Sequence, residues 1–209
     1  MIMIEVGIVL AAFIIFFTGG LWMSKSLQND QWGRKFAHIG SGLTASALPW
    51  FVDLRTALIM GSVWCLILWW LVKNKEVLFS SQNKSKKGVW LFPLGLTITA
   101  GLFWHKDPLI FQAAALILGL ADGLAGLAGG IIGKMKYKIL GEKTWEGSLV
   151  FLIITLTIMF SLFNERMDWK YLCLSTVLIT MVEGVLSDGW DNLAVPVFSG
   201  MLIYYFIYV

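Results

Sequence analysis

Four groups of charged or polar residues in this chain are of the types that bind phosphate or a metal ion. The first is the sequence RKFAH, which contains Arg34, Lys35 and His38. In a helix these cations share one side, because they are three and four residues apart, and Asn29 or Asp30 could cap that helix. A basic pair that stops membrane transfer would explain the first two cations. It explains His38 poorly, since a titratable group at the edge of hydrocarbon needs a partner.

The second group is a glycine-rich run that begins at Asp122 and ends at Lys134. Close helix packing would explain its small residues, but not a carboxylate inside an apolar segment. On a helix, Asp122 shares its face with Gly126, Gly129 and Gly133, which leaves a trough without side chains. We predict that a nucleotide or phosphate approaches the backbone in this trough and that Asp122 holds a metal ion.

The third group is the sequence KTWEGS at residues 143–148. Thr144 is a predicted N-cap, and Glu146 falls in the first helical turn, where the helix dipole favours an acid. Lys143 and Thr144 beside a helix N-terminus form a site for phosphate oxygens. A capped helix with a basic flank explains the same residues, and the sequence alone leaves both interpretations open.

The fourth group is rich in acids and lies near the C-terminus. Glu183 falls inside an apolar segment, and Asp188, Asp191 and Asn192 follow it without a compensating cation. Such acids either form salt bridges with neighbouring loops or bind a divalent metal ion. Glu183 is the most informative of them, because an acid within a membrane span needs a reason to be there.

The elements that must position these groups are membrane helices. Of the 209 residues, 58% are hydrophobic and 14% are charged, and the mean hydropathy is +0.77. A water-soluble domain of this size cannot bury so much apolar surface. We therefore predict one all-α transmembrane domain over residues 1–209, with about eight spans of roughly 20 residues. The predicted spans are 2–23, 36–52, 56–72, 89–104, 109–133, 149–163, 171–186 and 193–209.

The distribution of positive charge predicts the orientation of these spans. Of the 16 lysines and arginines, most fall in every second loop, and positive residues mark the cytoplasmic side. Both termini are then outside, and all four groups lie at or just inside the cytoplasmic face. The N-terminus lacks the basic region of a signal peptide, so we predict a membrane span there. It also lacks an arginine- and serine-rich transit segment, which favours a bacterial cytoplasmic membrane. The cations outside the majority loops are Arg55, Lys106, Arg166 and Lys170.

Cations, carboxylates and a glycine trough at one membrane face indicate a polyphosphate site. Phosphoryl chemistry demands mostly positioning and charge neutralisation by lysine, arginine and Mg²⁺. A small transporter would also place charges inside helices, but it would spread them across both sides of the bilayer. A scaffold has no use for Asp122 or Glu183. No nucleic-acid partner is expected, and the glycine and alanine ridge is compatible with a homo-oligomer.

The four groups, taken in order, resemble the motifs of the CTP-dependent lipid kinases, which include dolichol (polyprenol) kinase, phytol kinase and the CTP-using diacylglycerol kinase. The resemblance covers about residues 30–200. It implies that the γ-phosphate of CTP passes to a lipid alcohol, with Mg²⁺ as cofactor, giving a lipid monophosphate and CDP. The acceptor lipid cannot be read from the sequence, because the length of its groove is a tertiary property.

The resemblance also implies a role for each matching residue. Metal ligands would be Asp122, with Glu146, Asp191 and Glu183 as further candidates, and Asn192 would orient the site. The nucleotide or the product phosphate would be held by Lys134, Lys143, Arg34, Lys35 and His38. The general base stays open between Glu146, Asp191 and His38, because sequence gives no distances.

Phosphatidate cytidylyltransferase is the alternative that shares most of these features. Its glycine-rich run and its Lys-Thr-Trp-Glu-Gly sequence look very similar to those here, Trp145 included. The late motif expected of that family, with glycines and several acids after a Lys-Asp pair, is absent. Both activities use CTP, Mg²⁺ and a membrane lipid, and they differ in which phosphorus is attacked.

Overall fold

The chain folds into long helices and one short hairpin. The computed structural model describes residues 2–74 and 86–209. Two helical stretches continue through a π-helical turn, at Ala100–Trp104 and at Ile117–Ala121. The elements are α1 (Ile2–Ser26), α2 (Asp30–Phe51), α3 (Leu54–Lys73), α4 (Lys87–Thr99), α5 (Pro108–Leu116), α6 (Asp122–Ile131), β1 (Lys136–Lys138), β2 (Glu142–Thr144), α7 (Trp145–Phe163), α8 (Trp169–Val185) and α9 (Asp191–Tyr208).

The helices coincide with the predicted apolar segments. Each of the segments contains one helical stretch, and the stretch over 109–133 comprises α5, a π-helical turn and α6. The all-α prediction is confirmed. The short strands β1 and β2, which were not predicted, pair antiparallel with Tyr137 opposite Lys143. This hairpin replaces the loop expected between the fifth and sixth segments.

Four helical stretches among the described residues are long and apolar enough to cross a membrane. They are Met3–Ser26, Leu54–Lys73, Pro108–Ile131 and Trp145–Phe163. The chain is therefore a membrane protein by the length and composition of its helices. The predicted number of about eight spans is not confirmed, because only these four of the described helical stretches meet the requirements of both length and apolar composition.

The predicted orientation depends partly on residues outside the description. Lys75 and Lys84 lie between residues 75 and 85, as does most of the basic segment 80–87 that we interpret as a cytoplasmic loop. The cytoplasmic placement of the site and the outside placement of both termini therefore stay predictions.

Both helix caps expected near the charged groups are confirmed. The Asn29 side chain accepts a hydrogen bond from the amide of Gln31 and begins α2. The Thr144 hydroxyl accepts one from the amide of Gly147 and begins α7. Each cap satisfies an amide that would otherwise lack a partner in the first turn.

Helix α2 crosses the π-helical turn before α6 at a contact between two glycines. A methyl group added at Gly42 would meet the Cα of Gly119, and one added at Gly119 would meet the Cα of Gly42. Glycines at such a crossing let two helix backbones approach each other closely. The crossing lies one to two turns from Lys35 and Asp122 and brings their helices together.

A polar cluster joins three chain segments at the helix ends that lie away from the four charged groups. Arg166 donates to Asp107 over 2.6 Å and to the hydroxyl of Tyr208 over 2.8 Å. The Tyr208 hydroxyl also lies 3.0 Å from Asp107, which caps α5 and is 8% exposed. The cluster links the residue before α5, the connection between α7 and α8, and the end of α9.

We expect the substitution Tyr208→Phe to lower the stability of the protein by about 1–3 kcal/mol, since it removes two hydrogen bonds to charged groups. The ring contact with Tyr204 is kept. Thermal unfolding in detergent, followed by tryptophan fluorescence, measures the change. The control is Tyr205→Phe on the exposed side of α9, and an equal loss in both variants would contradict the role of the cluster.

Candidate active site

A cavity of about 690 Å³ opens at one end of the helices. Its walls come from the C-terminal halves of α1 and α3, the N-terminal halves of α2 and α4, helix α6, the β2–α7 junction, the end of α8 and the start of α9. These ends alternate along the chain, as expected when successive helices are antiparallel. All four groups of the sequence analysis contribute to this one cavity, so they do converge.

The glycine-run acid meets the first basic group on one wall. Asp122 is 7% exposed, and its Oδ2 accepts from Lys35 Nζ over 2.9 Å and lies 3.0 Å from His38 Nε2. Lys35 Nζ also donates to the Asp122 carbonyl over 3.0 Å. The carboxylate within the apolar segment is therefore matched by a buried cation, which offsets the cost of burying either charge alone.

The π-helical turn before α6 provides the remaining partner of His38. The amide of Asp122 donates to the carbonyls of Ile117 and Gly119 and not to that of its α-helical partner Leu118. The Leu118 carbonyl then lies 2.8 Å from His38 Nε2. Both neighbours of Nε2 are acceptors, so this nitrogen carries a proton. A single inserted residue thus fixes the histidine ring, in line with the frequent occurrence of π-bulges at functional sites.

A second ion cluster on the facing wall is centred on Lys143. Its Nζ contacts Glu183 Oε1 closely and lies 3.2 Å from Asp191 Oδ2. The three residues come from β2, α8 and α9, so one ammonium group joins three elements. The acids therefore form the salt bridges that were one of their two interpretations, and their partner is Lys143, the lysine predicted to bind phosphate.

The local charges keep Lys143 protonated. Burial lowers the pKa of Lys143, but the carboxylates of Glu183, Asp191 and Asp122 raise it by more, so its pKa lies above the ordinary lysine value. A lysine whose pKa is higher in the folded than in the unfolded protein stabilises the fold fully below its unfolded pKa of about 10.4. This stabilisation is lost only as the pH rises above that value. Lys143 is therefore a permanent cation in the cavity at neutral pH.

Glu183 retains one oxygen without a partner. The residue is 4% exposed, and its Oε2 is buried and makes no hydrogen bond. An unmatched carboxylate oxygen is costly unless a cation or donor binds there. Mg²⁺ takes one or two protein carboxylates and completes its shell with phosphate oxygens and water. Glu183 and Asp191 fit that requirement, although the described residues contain no group of three or more metal ligands.

The predicted site residues Glu146 and Lys134 lie away from the cavity. The Glu146 carboxylate accepts from the backbone amides of Lys134 over 2.9 Å and of Met135 over 3.2 Å. Neither Glu146 nor the exposed side chain of Lys134 lines the cavity. Glu146 therefore stabilises the turn of the chain that follows α6. The structure does not bring it together with the other three acids proposed as metal ligands.

The glycine trough is present but is largely filled by other side chains. A methyl group at Gly126 would meet the end of the Lys35 side chain, and one at Gly129 would lie 2.7 Å from the Thr144 hydroxyl. Gly133 faces the Thr144 methyl group and does not line the cavity. The glycines thus admit Lys35 and Thr144 to the site, which corrects the expectation of an open path along the backbone.

Arg34 and Asn192 occupy different positions in the site. Arg34 lines the cavity, and among the described residues no acid pairs with its guanidinium group. Asn192 donates through its side chain to the carbonyl of Gly88 over 2.8 Å. It therefore holds α9 against α4, whereas Arg34 is a cation available to a bound anion.

Several lining residues were not singled out in the sequence. Gln31 donates to the carbonyl of Gly126 over 2.9 Å and fastens α2 to α6. Ser148 lies 2.6 Å from the hydroxyl of Tyr137. Lys136 pairs with Glu142 over 2.6 Å at the cavity rim. Single polar residues of this kind carry no spacing pattern, although Gln31 lies next to a motif and Ser148 is the last residue of one.

The whole sequence can be compared with those of known proteins. The chain is similar to a phytol kinase. It is 26% identical to the phytol kinase of Synechocystis sp. over 194 residues, which are 88% of this chain and 83% of that protein. The likeness supports the resemblance drawn from the motifs at the level of the lipid kinases. No family model matches the chain, and no solved structure matches it.

Proposed function

We propose that this protein transfers the γ-phosphate of CTP to the hydroxyl group of a membrane lipid alcohol. The observation that supports this most directly is the cavity, where two clusters of buried cations and carboxylates face each other at one end of a bundle of apolar helices. A triphosphate needs such cations. A lipid substrate needs apolar helices of this kind around its binding site. The likeness to a phytol kinase supports the same activity.

The phosphate groups of the nucleotide would bind to Arg34, Lys143 and Lys35. Arg34 has no acidic partner among the described residues, and Lys143 is held protonated by its acids. Glu183 and Asp191 would hold Mg²⁺, and Asp122 is the further candidate. The metal ion, when bound, would neutralise charge on the transferred phosphoryl group.

His38 is the best-placed general base of the three candidates. Glu146 is bound to backbone amides outside the cavity, and Asp191 is paired with Lys143. His38 carries a proton on Nε2, which leaves the lone pair of the neutral ring on Nδ1. The lipid oxygen then bonds to the γ-phosphorus, the bond from that phosphorus to the β–γ bridging oxygen breaks, CDP leaves, and the hydroxyl proton passes to His38.

The test uses purified protein with CTP labelled at the γ-phosphate and Mg²⁺. Acceptors are phytol, a polyprenol and diacylglycerol, each in mixed micelles, with phosphatidate as a fourth substrate. We expect labelled lipid monophosphate and CDP from at least one alcohol, and much less product when ATP replaces CTP. Release of labelled pyrophosphate with phosphatidate would identify a cytidylyltransferase instead. Absence of both products from folded protein would refute the proposal.

A further inference from the structure

The cavity continues from the charged clusters into an apolar arm. The arm walls belong to α1, α3 and α4, none of which carries a member of the two ion clusters. We define the arm by the apolar lining residues of these helices, which are Phe17, Trp64, Leu68, Val72, Val89 and Phe92. The site therefore joins a charged wall to an apolar wall within one space.

One face of α3 is reserved for this arm. Trp64, Leu68 and Val72 are four residues apart and form a stripe along the helix. Leu68 is 3% exposed, whereas Leu66 on the other side of α3 is 64% exposed. The stripe extends for about 12 Å along the helix axis, and the outer face of α3 is left to the lipid bilayer.

The arm lies between two helix pairs. Helix α1 packs against α2, and α3 packs against α4. The rings of Phe17 and Trp64 join these pairs, with centroids 5.7 Å apart and an edge-to-face geometry. The rings of His38 and Phe92 also join the two pairs, and the arm is the space that its lining residues enclose between them.

His38 stands where the arm meets the charged wall. Its ring lies 4.7 Å, centroid to centroid, from the ring of Phe92 in an edge-to-face arrangement. Phe17, His38 and Trp64 also lie at similar depth, each about 12–14 Å from the end of its helix at the cavity side. The proposed base is thus in direct ring contact with one of the apolar walls.

We propose that the arm binds the apolar chain of the lipid alcohol and presents its hydroxyl group to His38. This inference rests on the proposed function. The occupant follows from the chemistry of the walls. Three of the six lining side chains are aliphatic, and five carry no hydrogen-bonding group for the edge of a nucleobase, whereas the first carbons of a lipid chain need only apolar contact. Leu68 and Trp64 would then determine which chains fit.

The test fills the arm at one residue and compares the same change on the outer face of the same helix. Leu68→Trp should raise the KM for the lipid alcohol at least tenfold and leave the KM for CTP within twofold. The control Leu66→Trp adds the same ring where only lipid contacts α3, and both KM values should stay within twofold. Equal KM values for the alcohol in Leu68→Trp and wild-type protein would overturn the inference.

A second measurement is independent of turnover and of the folding of Leu68→Trp. A long-chain alcohol with a photoreactive diazirine near its hydroxyl group is added to the wild-type protein without nucleotide. We expect labelled peptides from the arm. Labelling of Leu68 and Phe92 should fall at least fivefold when excess phytol competes with the probe. It should fall by as much in the variant Trp64→Ala, in which the arm is reshaped. Labelling only of the outer face of α3 would overturn the inference, even if kinase activity is found. Arm labelling without CTP-dependent phosphorylation would leave the binding site standing and refute the proposed reaction.

Discussion

Replacing Asp122 with asparagine should reduce kcat for lipid phosphorylation at least a hundredfold. The carboxylate holds both Lys35 Nζ and His38 Nε2 at about hydrogen-bond distance. Asparagine keeps the shape of the side chain but removes the charge that orients these two groups, and loss of one preorganised electrostatic contact costs about 10²–10³ in kcat. The measurement is the initial rate with saturating CTP and lipid alcohol.

A buried ion pair can be structural, so stability must be measured beside activity. Asp122→Asn leaves Lys35 as an unpaired buried cation, and removal of one partner of such a pair costs about 3–5 kcal/mol. The double variant Lys35→Met/Asp122→Asn removes both charges and should recover most of the lost unfolding temperature. We expect its activity to stay below one hundredth of the wild-type value. Recovery of activity together with stability would show that the pair only supports the fold.

The sequence predicted the convergence of the site better than its interior. Positive charges in alternate loops and acids inside apolar segments placed four groups at one end of the helices, and the cavity contains members of all four. The caps at Asn29 and Thr144 were also predictable, because a capping side chain acts on amides two or three residues away. Information of this kind is local or depends on the period of a helix.

The contacts across the cavity depend on tertiary packing. The face shared by Asp122 and the glycines was predicted correctly as a helical register, but Lys35 and Thr144 enter it from other elements. The backbone bonds of Glu146 depend on how the chain turns after α6. The π-helical turn that frees Leu118 for His38 has no sequence signature among its small and aliphatic residues. Spacing along one helix could not have revealed any of these.

The apolar arm shows a further limit of sequence patterns in membrane proteins. Leu68 and Leu66 are identical residues on one apolar helix, yet the first is buried in the arm and the second is exposed. In a soluble helix a polar outer face would separate them. In a membrane helix both faces are apolar, so the direction of the arm could be read only from the packing of α3 against α4.

Replacing Lys143 with methionine should reduce phosphoryl transfer more than the same change at any other lysine. Among the described residues, Lys143 is the side chain that pairs with both Glu183 and Asp191, and it stays protonated throughout the physiological pH range. Methionine keeps the length of the chain but leaves two carboxylates facing each other and removes a cation from the phosphate site. We expect kcat/KM for CTP to fall about a thousandfold.

Two further lysine variants make this result specific. Lys143→Arg keeps the charge but replaces a compact ammonium group with a planar fork, so we expect partial activity, between that of Lys143→Met and wild type. Lys138→Met changes an exposed lysine of the same hairpin, paired in register with Glu142 and outside the cavity, and should stay within threefold of wild type. Because Lys143→Met also leaves Glu183 with both oxygens unmatched, the additional change Glu183→Gln should restore stability without restoring activity. Near-normal kcat/KM in folded Lys143→Met would remove this residue from the phosphate site and leave the hairpin with a purely structural role.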